Sequence, residues 1–148
     1  MGVLSDGTPF LTQRGLARLC GVRNAHIGTI STGWSKSGQT ARIRRIRAIL
    51  SATGISVEEP HVRLQRGSRA TFAYPETVCL AVLEYYAFHA GARCREEARR
   101  NFRNLAGSAL RSFIYAQTGY GLGHASPPHL GALAAGVSLS TAETRSAA

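Results

Sequence analysis

A chain of 148 residues with 44% hydrophobic and 18% charged residues has the composition of one ordinary globular domain, or of a small domain with appendages, and is not a chain disordered throughout. Eighteen basic residues against eight acidic ones leave a net charge of +10, which points to a polyanionic partner: nucleic acid first, an anionic membrane surface second. No run approaches the ~20 apolar residues of a membrane-spanning helix. The scattered Cys20, Cys79 and Cys94, with no Cys-x-x-Cys pair, fit neither a disulfide framework nor a structural zinc site and read as small buried apolar residues.

The excess charge is uneven. Residues 1–54 hold eight basic side chains against one acid, Asp6, whereas 55–75 hold three against two and 76–117 six against four. Only Lys36 is a lysine; the rest are arginines, whose planar fork suits phosphates and guanine edges. A GC-rich genome would favour arginine equally, so two readings of the residue type stand, but neither codon bias nor solubility accounts for the net excess. The first residues lack a charged start followed by a long apolar run, so no signal peptide is expected. The expected location is the cytoplasm of a bacterial cell, phage-infected or not.

In chain order, residues 1–9 are turn-rich and expected to be loose. Residues 12–34 carry a helix–turn–helix pattern, and Trp34 to Gly38 form a polar break. Residues 39–53 predict a helix with Ile43, Ile46 and Leu50 on one stripe, Ile49 at its edge, and Arg42, Arg44, Arg45 and Arg47 around the rest. Residues 62–74 predict a β-hairpin with a basic tip at Gln65-Arg-Gly-Ser-Arg69, and Pro60 confines its first strand to an edge. Pro75-Glu76 starts a mostly buried helix that Gly91 ends. A second helix runs from about 93 to 117 with a candidate break at Gly107-Ser108 and an expected buried face of Phe102, Leu105, Ala109, Leu110, Phe113 and Ile114. Its Arg/Glu run at 93–100 reads as a solvated face with internal ion pairs. The Gly, Pro, Ser and Ala of 118–148 predict a flexible tail. The expected fold class is mainly α with a small hairpin (α+β), divided into a DNA-binding region 1–54, a hairpin plus helical dimerisation region 55–117, and the tail.

The stretch from Gln13 to Ile30 resembles the helix-turn-helix of phage and bacterial repressors. Leu16 faces the core, Ala17 is small where the second helix crosses, Gly21 supplies the left-handed turn, and Ile27 and Ile30 seat the second helix. Thr12 is placed to cap the first helix, with Gly15 where a capping box would have Glu. The resemblance implies that the second helix enters a major groove. Arg23, Asn24, Ala25, Gly28 and Thr29 would then face bases, with His26 close by, while Gln13 and Arg14 touch the backbone. Arg42, Arg44 and Arg45 are candidate phosphate contacts. Arg66 and Arg69 are too if the hairpin is a wing; a structural hairpin covering the core is the other reading. More loosely, the second half resembles phage and prophage regulators with a helical C-terminal module.

The five histidines have no metal-ligand spacing, the acids form no pair, and the glycines at 119–123 lack the strand and helix that a nucleotide loop needs. No catalytic residue, metal, cofactor or small-molecule ligand is expected. The leading expectation is a sequence-specific double-stranded DNA-binding protein, a small transcriptional regulator of phage or prophage origin, acting as a homodimer through residues 76–117. Two alternatives stay open: a protein-interaction factor such as an antirepressor or phage-defence component, and an RNA-binding module.

Overall fold

The N-terminal residues expected to be loose instead pair as strands. In the computed structural model, which describes residues 1–119, β1 (Gly2–Val3) lies antiparallel to β2 (Pro9–Thr12) with Gly2 opposite Phe10. Asp6 helps to close the intervening turn by accepting the Thr8 N–H at 2.9 Å, and Gly2 lets the Phe10 ring come within 2.9 Å of where a Cβ would stand. The expected hairpin is present as β3 (Val62–Arg66) and β4 (Arg69–Pro75), but β2 adds to β4, with Phe10 opposite Pro75. The result is a four-stranded antiparallel sheet in the order β1-β2-β4-β3, and the fold is mixed α/β rather than helical with a lone hairpin. The strand after Pro60 lies at the sheet edge, as expected, and Pro60 itself precedes the paired residues.

Helix α1 (Gln13–Cys20) begins directly where β2 ends, and the Thr12 hydroxyl accepts the Gly15 N–H at 3.2 Å. Gly21, at φ +64°, stops it, and the following Val22 N–H donates to the Ala17 carbonyl. Helix α2 (Asn24–Gly33) follows three residues later, and α3 (Ala41–Ala52) starts at a second threonine cap, Thr40. Helix α4 (Glu76–Glu84) runs on into a wider π turn, Tyr85–His89, ahead of Gly91 at φ +59°. Helix α5 (Glu96–Thr118) then continues unbroken through Gly107-Ser108.

Residues 1–106 form one compact unit around a core of Leu16, Cys20, Ile27, Ile30, Ile43, Ile46 and Leu50 from α1–α3, with Tyr74, Val78, Val82, Tyr85 and Tyr86 from β4, α4 and the π turn. Trp34, read from sequence as part of a polar break, is fully buried: its indole N–H donates to the Val57 carbonyl and the Arg47 guanidinium lies 4.8 Å over its ring. Burial pushes the Cys20 and Cys79 thiols up to about 12, so both are inert fillers, whereas Cys94 is only half-buried.

The first turns of α5 belong to this core: Ala98 is buried, the Asn101 amide donates to the Leu19 carbonyl at 2.8 Å, and Phe102 meets Phe88 edge-on at 5.2 Å. Arg99 and Glu96 make the expected pair within the Arg/Glu run, at 3.0 Å. The predicted buried face does not extend along α5. Leu105, Leu110, Phe113 and Ile114 are all exposed: a shared helix face is not by itself a buried one, and past Phe102 this stripe finds no cover among the described residues. The described part of the second unit, from Gly107, is this same helix. From residue 120 on, the tail lies outside the described residues.

Candidate nucleic-acid interface

Helix α2 has one side committed and one side free. Ile27 and Ile30 are buried against the core, and helical spacing turns Ala25, Thr29 and Thr32 to the opposite side, where all three are exposed. Arg23 precedes the helix in extended backbone with no side-chain cap, and Arg23, Asn24 and His26 are exposed at its start. Arg14, in the first turn of α1, is exposed as well.

Two cross-links hold this surface. Gln13 donates its side-chain amide to the Asn24 carbonyl at 3.1 Å, tying the start of α1 to the start of α2. Gly28 leaves room for that link, since a Cβ there would stand 3.2 Å from the Gln13 amide nitrogen. On the other flank, Arg42 donates to the Thr29 hydroxyl at 2.8 Å and to the Tyr86 hydroxyl at 3.3 Å. Burial raises the Tyr86 pKa and outweighs the opposing effect of Arg42, so the phenol stays protonated.

The α3 arginines expected to act together are therefore separated. Arg42 is half-buried against Thr29 and Tyr86. Arg45 meets the His89 Nδ1 at 3.0 Å, while the other nitrogen of that ring lies 3.3 Å from Glu84. The Arg44 side chain is exposed and makes no hydrogen bond among the described residues. Arg66 and Arg69 face each other across the hairpin tip, both exposed.

Sequence reasoning missed Thr32 on α2 and, opposite it, two residues of the hairpin region, His61 and Phe72. A groove of about 440 Å³ runs between α2 and the hairpin, with Gln13, Ala25, Gly28, Thr29 and Thr32 on one side and His61 and Phe72 on the other. The His61 ring lies tilted against two others, its centroid 4.3 Å from that of Phe72 and 5.5 Å from that of Tyr74, whose hydroxyl bonds Ser31 of α2 at 2.6 Å. Burial lowers the His61 pKa against the opposing pull of Glu59, so the ring is neutral at pH 7. Arg63 is the register partner of Phe72 and so shares its sheet face, whereas strand alternation puts Arg66 and Arg69 on the other face. Continuing the α2 stripe by one turn would have found Thr32; Phe72 and His61 carried no local signal.

Among the described residues no three His, Cys, Asp or Glu side chains gather as a metal site, and no helix is long and apolar enough to cross a membrane. No family model, curated protein or solved structure matches this chain.

Proposed function

We propose that the chain binds double-stranded DNA sequence-specifically, with α1 and α2 acting as a helix-turn-helix, and that it is a small transcriptional regulator of phage or prophage origin. The observation that carries this reading is the uncovered stripe of α2, braced at both flanks by Gln13 and Arg42 and bordered by Arg14 and Arg23. In this reading α2 enters the major groove, and Arg23 and Asn24 address guanine and adenine edges. Arg14, Arg44 and the wing arginines Arg63, Arg66 and Arg69 neutralise phosphates, which fix register without reading sequence. One such helix reads too few base pairs to be selective, so the protein acts as a homodimer through residues 76–117. The exposed Leu110, Phe113 and Ile114 support that interface.

The test is a gel-shift selection from random duplex DNA at about 50 and 200 mM salt. Retention should fall steeply with salt and converge on one sequence. R23A and N24A should each lose on the order of 1–3 kcal/mol on that sequence with circular dichroism unchanged. Retention of no duplex at either salt overturns the proposal. The exposed apolar residues of α5 would then favour the second reading, a protein-interaction factor.

A further inference from the structure

The groove beside α2 is polar by residue name and apolar by surface. Thr29 spends its hydroxyl on the His26 carbonyl and on Arg42, and the Thr32 hydroxyl turns back to the Thr29 carbonyl. The Ser31 hydroxyl is taken by Ile27 and Tyr74, and the Gln13 amide nitrogen by Asn24. What remains to line the groove is mostly carbon, with the His61 ring as the main polar exception: the Ala25 and Thr29 methyls, the bare backbone of Gly28, and the Phe72 ring. Among the described residues no acidic side chain lines it, and Arg63 stands on the sheet face that carries Phe72.

We infer that this groove reads the C5-methyl group of thymine in the major groove, an inference that rests on the DNA-binding reading above. Flanking arginines suit a polyanion, while the groove between them offers little to hydrogen-bond beyond the His61 ring and the Gln13 amide oxygen. Of the major-groove edges only thymine presents an apolar group, and Ala, Thr and Phe are the side chains that suit it. A guanine or an adenine amino edge placed there would lose water and find few partners, so the groove also selects against those bases. Discrimination at this position is thus a matter of methyl contact and desolvation, and it falls to Ala25, Thr29 and Phe72 rather than to an arginine.

The experiment uses the full chain and the duplex selected from a random pool, remade with uracil in place of thymine, first throughout and then one position at a time. Uracil keeps every hydrogen-bonding atom and removes only the methyl. Affinity should fall roughly fourfold for each methyl read. T29S keeps the hydroxyl that Arg42 holds and deletes one methyl, so at one position it should bind thymine and uracil alike. F72A, at a side chain already 37% exposed, should narrow the difference with the fold intact. Equal affinity for the thymine and uracil duplexes overturns the inference and leaves DNA binding standing. Indifference to uracil, joined to tighter binding of a pool carrying 5-methylcytosine, overturns the assignment to thymine. A protein that retains no duplex overturns both readings.

Discussion

Arg42, in the first turn of α3, donates a 2.8 Å hydrogen bond to the hydroxyl of Thr29 on the free side of α2. The same guanidinium reaches Tyr86 in the π turn, so one side chain ties α2, α3 and the end of α4 together. A surface arginine free to meet a phosphate would not be held in this way. Arg42 positions the α2 surface, and Arg44, two residues on, is the unencumbered cation.

The two arginines should therefore fail differently when replaced. R42A should weaken binding to the selected duplex by about 1 kcal/mol, the usual value of one hydrogen bond, and blur its selectivity. R44A should weaken binding to all duplexes alike and make the slope of log affinity against log salt shallower by about one. Titrations of both variants on selected and scrambled duplexes separate the two effects. A reduced salt slope with intact selectivity in R42A would contradict the positioning role.

Gly21 is the second point of leverage. Its backbone is left-handed at φ +64°, and a Cβ there would stand 3.0 Å from the Glu97 side chain of α5. G21A should destabilise the fold by roughly 1–2 kcal/mol from the backbone alone. The matching measurement is a lower urea midpoint at unchanged slope. Because the strain sits between α1 and α2, an equally stable G21A variant would mean that the turn relaxes to another geometry.

Most of what was legible beforehand is local. The Thr12 cap, the Gly21 stop, the Ile43–Ile46–Leu50 stripe and the 62–74 hairpin each depend on residues a few positions apart, and all are present. What escaped depends on distant pairing. Nothing near Phe10 announces that it will lie opposite Pro75, so the turn-rich N-terminus read as loose and the sheet as a hairpin. The groove beside α2 was half legible for the same reason: Ala25, Gly28 and Thr29 come from one helix, whereas Phe72 and His61 arrive with the sheet. On α5, periodicity showed which residues share a face. It could not show that Leu110 and Phe113 have no cover within the described chain.

His61 makes stability depend on pH in a defined direction. Burial among Phe72 and Tyr74 lowers its folded pKa below the ordinary value near 6.5, with Glu59 opposing. Above that value both folded and unfolded chains carry a neutral ring. As pH falls below it, the unfolded chain takes up the proton first, so stability is lost on acidification. Urea unfolding between pH 7.5 and 5.5 should show H61F losing less stability than the parent chain. Equal losses in the two proteins would remove His61 from the account.

The last prediction concerns how two copies meet. Leu110, Phe113 and Ile114, at 60%, 61% and 48% exposure, fall at i, i+3 and i+4 on one stripe of α5. Tyr85 and Tyr86, within the 76–117 region expected to dimerise, are spent in the core, so the proposed dimer rests on these aliphatic and aromatic side chains. A second copy presenting the same stripe would cover both by two-fold symmetry, and the pair would carry two copies of α2 for two half-sites. The parent chain should scatter light as twice 15.8 kDa, and the double variant L110D/F113D as a monomer with an unchanged circular dichroism spectrum. The variant should also need a much higher concentration to hold the selected duplex, since each half-site must then be filled separately. A parent chain that is monomeric yet binds one half-site tightly would defeat the dimer. A variant that stays dimeric would move the contact off this stripe.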